Sequence, residues 1–440
     1  MYLNDSPALT RRQWLGGAAA AGAAAALPLP AWAQPVTAWP EVAKLLQGYV
    51  DSRKVASMVA ALGWRQEPPT VLAYGHDSFT SPRASDGDSL YRIYSMTKPI
   101  TGMAAMMLVD EGKLGLDQPL AEILPKFARM KVQKVYDGPI TPDNLEPAIR
   151  PITIRQLLTH TSGLGYSIIQ SGPIGQAYRA RGVVPGLVTR LQNSPAFRGT
   201  AVPSLTLFAD RLAEFPLVYQ PGTRWSYSMG LDLMGRVIEV VSGQPFDRFL
   251  QERIFDPAGM AETYFRVPDS AKGRLTTSYF KLNDLMLPID VPENSVFLDK
   301  PPFPFGGAGL VSSPRDYDRF LKMLAGLGAI EGKRVMSEAA VRLGTSNLLP
   351  ATVERGTPGA GPALDLIRYG FGAGGRVGKG DLAGVYGWAG AAGTIAFADV
   401  RRGLRGGLFT EYMPSGLYPL DNEFPAAVAK DVAAQLLARR

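Results

Sequence analysis

One stretch of the sequence is apolar on every side of a helix, and this stretch constrains the fold most strongly. The sequence predicts a helix from Ser95 to about Glu111, and residues 100–109 in its middle are almost wholly apolar. A helix without a polar face has to be buried against other elements on all sides. The remainder of the 440 residues, 46% of them hydrophobic overall, must therefore supply layers that enclose this helix.

Predicted strands occur towards both ends of the chain. We expect strands over 56–64, 71–75 and 90–93, then a long, mostly helical stretch, then a Gly-rich run of strands over 369–410 before a closing helix. This order predicts an α/β (α+β) layer formed by residues 34–112 and 300–440. Residues 113–299 would form a mostly helical lobe, with a cleft between the two parts.

The first 33 residues have the pattern of a twin-arginine-type signal peptide. Arg11 and Arg12 precede an uncharged, Ala- and Gly-rich segment over 14–27, and Ala31-Trp32-Ala33 fits a cleavage site. That segment is too short to cross a bilayer as a helix, so we expect no stable membrane span. The mature domain would be residues 34–440, exported to the periplasm or secreted. An uncleaved N-terminal anchor is the alternative.

Composition excludes several classes of protein. The chain has no cysteine and only 2 histidines, which excludes a disulfide scaffold and a cysteine nucleophile and argues against a histidine-based metal site. The net charge is +7, but the lysines and arginines are scattered, and the densest run, over 126–134, is interrupted by apolar residues. We interpret this run as a solvated face and expect no nucleic-acid partner and no metal.

The start of the apolar helix carries the motif Ser95-Met96-Thr97-Lys98. Residues three apart share a helix face, so Lys98 can reach the Ser95 hydroxyl, and a helix N-terminus favours a developing oxyanion. A serine with a lysine partner can act as a nucleophile without a histidine. The alternative is an ordinary capping serine with a surface lysine. Ser278 and Lys281 have the same spacing, but no long helix is predicted there.

Four further segments follow in an order that matches a known family. They are LLTHTSGL at 157–164, PGTRWSYS at 221–228, GGAGLVS at 306–312 and GWAGAAG at 387–393. With Ser95-Met-Thr-Lys98, they resemble the penicillin-recognising serine hydrolases, specifically the class C β-lactamases and the related family VIII carboxylesterases. The resemblance covers about residues 85–410. It implies a β-lactamase/transpeptidase-like fold, with an antiparallel sheet flanked by helices plus a mostly helical lobe.

The resemblance also implies roles for individual residues. Tyr227 takes the place of the family's tyrosine and would act as general base towards Ser95, beside Lys98. The backbone N–H groups of Ser95 and Ala391 would form the oxyanion hole. His160 lies in the LTHTSGL stretch, which suggests a structural turn rather than a catalytic role. No metal or organic cofactor is implied.

Two of the implied substrate-binding positions depart from the lactamase pattern. Met229 stands where lactamases have an asparagine that holds the antibiotic's amide, and Trp388 replaces the lysine that holds its carboxylate. Gly390 retains the glycine of that strand motif. Because Trp388 offers no cation, an anionic substrate loses a charge-assisted contact and a neutral ester loses nothing.

The sequence therefore predicts an exported serine hydrolase that cleaves short-chain carboxylic esters, a small-molecule substrate, through an acyl-Ser95 intermediate. Two alternatives keep the site: a β-lactamase or D-aminopeptidase/DD-peptidase-like hydrolase, and an acyltransferase in which an alcohol or amine replaces water. A non-catalytic binding module with the same fold is a further alternative. The oligomeric state is left open.

Overall fold

The computed structural model describes residues 38–191, 199–350, 353 and 365–438. The predicted signal peptide over 1–33 lies outside these residues. The α-helices are α1 (Pro40–Asp51), α2 (Thr97–Asp110), α3 (Ile154–Leu158), α4 (Pro173–Ala180), α5 (Leu205–Leu212), α6 (Gly230–Ser242), α7 (Phe246–Leu250), α8 (Asp256–Ala258), α9 (Pro314–Ala325), α10 (Glu338–Gly344) and α11 (Leu420–Ala438).

The strands are mostly short. They are β1 (Ser57–Trp64), β2 (Thr70–Gly75), β3 (Tyr91–Arg92), β4 (Lys131–Gln133), β5 (Leu145–Pro147), β6 (Ser278–Leu282), β7 (Leu285–Asp290), β8 (Val311–Ser312), β9 (Ala329–Ile330), β10 (Lys333–Arg334), β11 (Tyr369–Phe371), β12 (Arg376–Gly378), β13 (Val385–Ala389), β14 (Ile395–Asp399), β15 (Leu404–Phe409) and β16 (Tyr412–Met413).

One antiparallel sheet joins the two ends of the chain. Its seven strands follow the order β11-β12-β13-β14-β15-β1-β2, so the N-terminal hairpin extends the C-terminal meander. Val59 of β1 pairs with Phe409 of β15, and nearly every residue of these two strands is buried. Strands buried on both faces need a cover on each side of the sheet. The domain boundaries at 112/113 and 299/300 stay a prediction.

Helices cover both faces of the sheet. On one face, α1 packs against α11 and β1, and the Asp431 carboxylate of α11 accepts the N–H groups of Glu41 and Val42 at 3.0 Å each. A carboxylate at a helix N-terminus satisfies free N–H groups and complements the helix dipole. On the other face, α9 packs against β1, β14 and β15. The sheet is thereby the middle layer of a helix–sheet–helix arrangement.

Helix α2 is enclosed as its composition predicts. Every residue from Thr97 to Leu108 is buried, and the helix packs against α6 and α10. The regular helix begins two residues later than predicted, because Tyr94–Met96 forms a 3-10 turn in which the Met96 N–H bonds to the Ile93 carbonyl at 2.9 Å. Ser95 therefore lies in this turn, and Lys98 lies in the first turn of the α-helix.

The chain between α2 and β8 contributes helices and loops that pack against α2. Its buried side chains join those of α2 in one hydrophobic core, and Gly243, with a φ of 70°, ends α6 as predicted. No helix in the described ranges is long and apolar enough to cross a membrane. The Ser278-x-x-Lys281 motif lies in β6 and begins no helix, as expected.

The packing of α2 gives a test of fold stability at Gly102. A Cβ atom there would overlap the Ala373 carbonyl oxygen, whereas one at the exposed Gly48 of α1 would meet nothing within 4 Å. Gly102→Ala should lower the free energy of unfolding by about 1–3 kcal/mol, as overpacking does. Gly48→Ala should raise it by about 0.4–1 kcal/mol. Denaturation of the two variants side by side checks this, and equal effects would contradict the close packing of α2.

Candidate active site

Ser95 lies in the 3-10 turn between β3 and α2, and the preceding strand is held by buried charges. Arg92 of β3 is fully buried and forms ion pairs with Asp290 at 2.6 Å and Glu411 at 3.2 Å. Buried charges with well-placed partners are costly to disrupt, because removal of one partner leaves the other unpaired. These ion pairs therefore hold the turn that carries Ser95 in place. Ser95 itself is half-buried.

Lys98 is fully buried directly behind Ser95. Its Nζ donates to Gly307 O at 2.7 Å and to Ser95 Oγ at 3.2 Å, and Tyr166 Oη lies 3.5 Å away. A lysine ammonium has three N–H donors, so these oxygens satisfy all of them. The lysine is thus held with one hydrogen aimed at the hydroxyl of Ser95.

Tyr227 approaches Ser95 from the loop before α6. Its Oη donates to Ser95 Oγ at 2.7 Å, and Lys98 Nζ lies 4.7 Å from the centroid of its ring. The indole Nε1 of Trp388 donates to the same phenol oxygen at 3.3 Å. The structure therefore brings Ser95, Lys98 and Tyr227 together, and it adds a hydrogen-bond donor from Trp388.

The end of β13 passes beside the nucleophile turn. A Cβ atom at Gly390 would overlap the Ile93 carbonyl oxygen, so only glycine permits this approach. Ala391 follows directly and is half-buried. This places the backbone around Ala391 next to the turn that carries Ser95. The oxyanion-hole role of Ala391 and the substrate-binding role of Gly390 stay predictions.

His160 supports Tyr227 from behind. Its ring centroid lies 4.7 Å from that of Tyr227, and its Nδ1 accepts the Ser228 N–H at 3.2 Å. Burial lowers the pKa of His160 well below 6.5, and the charge of Lys98 lowers it further. The residue has a φ of 56° within its turn. A buried neutral histidine in this place fits the structural role expected of it.

The geometry supports nucleophilic chemistry at Ser95. A serine hydroxyl is a weak nucleophile until a neighbouring group takes its proton. Here a phenol oxygen and a lysine nitrogen both lie within hydrogen-bonding distance of Ser95 Oγ. Within the described ranges, no group of three or more acidic or histidine side chains could hold a metal ion.

Comparison with known proteins assigns the family. The family model described as Beta-lactamase matches residues 42–430. The chain belongs to the beta-lactamase family. An uncharacterised protein of Mycobacterium tuberculosis is 36% identical over 358 residues, which is 79% of this chain and 84% of the relative. Esterase EstB of Burkholderia gladioli is 30% identical over 288 residues, 62% of this chain and 66% of the relative.

Solved structures share the fold. EstCE1, described as a hydrolase with promiscuous acyltransferase activity, superposes with a TM-score of 0.70 at 24% identity and covers 90% of this chain and 98% of its own. The predicted β-lactamase/transpeptidase-like fold is thereby confirmed. Family membership with an esterase relative supports a serine hydrolase.

Two positions at which this member of the beta-lactamase family departs from the lactamase pattern lie in different surroundings. Trp388 is half-buried, with its ring against Tyr227 at 5.8 Å and Phe371 at 5.2 Å between centroids, and it forms an apolar wall beside the site. Met229 is fully buried at the start of α6. The structure therefore gives no support to Met229 as a substrate-binding residue, because its side chain has no accessible surface.

Two residues near Lys98 were not anticipated from the sequence. Tyr166 follows the LTHTSGL stretch by two positions, and only its closeness to that stretch could have drawn attention to it. Asp232 is a charged residue among the apolar residues of α6, where it is fully buried. A charge within an apolar stretch of helix is a usable signal, since such a residue needs partners inside the protein.

Proposed function

We propose that this chain hydrolyses short-chain, neutral carboxylic esters through an acyl-Ser95 intermediate. The observation that carries the proposal is the convergence of Lys98 Nζ and Tyr227 Oη on Ser95 Oγ, at 3.2 and 2.7 Å. Both distances are within the reach that proton transfer requires.

Before acylation, the Tyr227 hydroxyl, which donates to Ser95 Oγ in the resting site, gives its proton to water. The resulting phenolate then takes the proton from Ser95 Oγ. The positive charge of Lys98 and the indole N–H of Trp388 both stabilise negative charge on the phenol oxygen. Ser95 Oγ then bonds to the ester carbonyl carbon, and the N–H groups of Ser95 and Ala391 bind the oxyanion. When the tetrahedral intermediate collapses, the C–O bond to the alcohol breaks, and Tyr227 gives its proton to the departing oxygen.

Deacylation repeats these steps with water. Tyr227 takes a proton from a water molecule, whose oxygen bonds to the acyl carbon. The bond to Ser95 Oγ then breaks, the carboxylic acid leaves, and Ser95 Oγ recovers its proton from Tyr227. Ser95 and Tyr227 therefore serve both acylation and deacylation, and no cofactor takes part in the proposed reaction.

Trp388 favours a neutral ester over an anionic substrate. Its half-buried indole forms an apolar wall where the lactamase pattern has a lysine, so a substrate carboxylate would find no cation at this position. The similarity to esterase EstB supports an ester as the substrate. A β-lactamase or D-aminopeptidase/DD-peptidase-like activity is the weaker alternative on these grounds.

Acyl transfer is a second candidate, because it uses the same acyl-serine. EstCE1 is described as having promiscuous acyltransferase activity alongside hydrolysis. If an alcohol reaches the acyl-enzyme before water, Tyr227 takes the alcohol's proton and the product is a new ester. We propose hydrolysis as the principal reaction and transfer as a competing outcome.

We also propose that the protein works outside the cytoplasm. The paired arginines at 11–12, the uncharged segment over 14–27 and the Ala-x-Ala site at 31–33 support export by the twin-arginine route. The substrate would then be a small-molecule ester in the periplasm or outside the cell.

Ser95→Ala should abolish hydrolysis of p-nitrophenyl acetate, with a fall in kcat of at least about 10³-fold, because no nucleophile remains. Ser278→Ala is the matched control, since it removes the serine of the other Ser-x-x-Lys motif, which lies in β6 and begins no helix. It should retain activity. Steady-state rates on p-nitrophenyl acetate, p-nitrophenyl octanoate and nitrocefin check the class of substrate.

Unimpaired turnover of p-nitrophenyl acetate by Ser95→Ala would contradict the acyl-Ser95 mechanism. A preference for nitrocefin over the acetate would favour a lactamase. No turnover of any substrate by the unmodified protein would favour a non-catalytic binding module.

Trp388→Phe removes the donor to Tyr227 and keeps an aromatic wall. A hydrogen bond to a charged group contributes about 1.5–3 kcal/mol, so kcat/KM for p-nitrophenyl acetate should fall about 10- to 100-fold. Trp64→Phe removes an indole N–H that has no partner among the described residues and should change little. Equal rates for Trp388→Phe and the unmodified protein would show that this donor does not act on Tyr227.

A further inference from the structure

A buried carboxylate lies behind the site, and the proposed mechanism does not use it. Asp232 is the third residue of α6 and is fully buried. Its Oδ1 accepts the Gly307 N–H at 2.9 Å, and its Oδ2 has no hydrogen-bond partner among the described residues. A buried carboxylate with an oxygen that lacks a hydrogen-bond partner costs folding free energy, so its presence calls for a physical reason.

The Gly307 peptide group connects Asp232 to Lys98. Its N–H donates to Asp232 Oδ1, while its carbonyl oxygen accepts from Lys98 Nζ at 2.7 Å. Hydrogen bonds in such a chain polarise one another, so a carboxylate on the N–H strengthens the carbonyl as an acceptor. A Cβ atom at Gly307 would overlap the Asp232 carboxylate, so glycine at this position allows the two groups to approach this closely.

The polar groups that interact with Lys98 come from five segments of the chain. They are Ser95 of the 3-10 turn, Tyr166 and His160 of the 157–166 stretch, Tyr227 of the loop before α6, Gly307 of the 306–310 loop, and Asp232 of α6. Among these, Asp232 is the one carboxylate. His160 is neutral, because burial lowers its pKa. An ionised Asp232 is therefore the counter-charge available to a buried ammonium.

We propose that Asp232 is a positioning residue of this site, which holds Lys98 towards Ser95 by fixing the Gly307 peptide and by balancing the lysine charge. The inference rests on the proposed function, since its readout is turnover at Ser95. It adds a residue that acts through Lys98 and touches neither the nucleophile nor the substrate.

The protonation of Asp232 makes the arrangement sensitive to pH. Burial raises the pKa of Asp232 to about 6, although the Lys98 charge and the Gly307 N–H oppose the rise. As the pH falls through this value, the carboxylate is neutralised and the counter-charge to Lys98 is lost. Activity should therefore fall on the acid side. Because the folded-state pKa lies above the ordinary value of 3.8, ionisation of Asp232 costs stability at higher pH.

Asp232→Asn is the decisive variant, because it keeps the shape and an oxygen acceptor but carries no charge. At about pH 8, kcat/KM for p-nitrophenyl acetate should fall roughly 10-fold or more, the fall expected when a polar positioning contact is lost. The acid limb near pH 6 should disappear from the pH profile, and Tm should stay equal or rise.

Asp316→Asn is the matched control. Asp316 of α9 is also buried, and burial likewise raises its pKa to about 6, but it bonds to Glu262 and Thr263, which are not among the residues facing Lys98. This variant should keep the acid limb. If Asp316→Asn also removes the limb, the limb reports general ionisation of buried carboxylates and the inference is wrong.

The remaining outcomes separate this inference from the proposed function. An Asp232→Asn enzyme with lower Tm and an unchanged pH profile would reduce Asp232 to a structural residue and overturn the inference. If that variant does not fold, the unmodified protein still decides, since a profile without an acid limb near pH 6 overturns it. In either case, loss of turnover in Ser95→Ala would leave the acyl-serine mechanism standing.

Discussion

Helix α2 is buried on all sides, and its enclosure determines where the neighbouring helices and loops must lie. Its apolar surface requires α6 and α10 against it, and the chain between β3 and β8 contributes to the same core. The first turn of this enclosed helix carries Lys98, so packing alone places an ammonium where water does not reach it. The stability of the fold and the chemistry of the site therefore share one cause.

The buried Lys98 ammonium requires several segments of the chain to lie close together, because each has to supply a hydrogen-bond acceptor. Lys98 needs an acceptor for each N–H, and it obtains them from the 3-10 turn before its helix, from the 306–310 loop and from the loop that carries Tyr166. Tyr227 and Trp388 add their rings and polar atoms from two further segments. Because segments distant in sequence supply these groups, the site forms only when the whole domain has folded.

The sequence predicted those features that local patterns determine. The apolar run predicted a buried helix, the alternation of strands and turns predicted the sheet, and the spacing of Ser95 and Lys98 placed both on one side of the helix start. The family motifs added Tyr227. Local patterns did not predict the 3-10 turn at Ser95, in which Tyr94 has a left-handed φ of 39°. Local patterns also did not predict contacts between residues distant in sequence. These include the hydrogen bond from Trp388 to Tyr227 and that from the Gly307 N–H to Asp232.

The proposed mechanism requires Ser95 to be a nucleophile that becomes covalently acylated, and covalent labelling detects such a serine. The protein is treated with a fluorophosphonate, digested and analysed by peptide mass spectrometry, with the Ser95→Ala variant treated in parallel. We expect one adduct, on the peptide that contains Ser95, and none in the variant. An adduct on another residue, or no adduct in an ester-hydrolysing preparation, would contradict it.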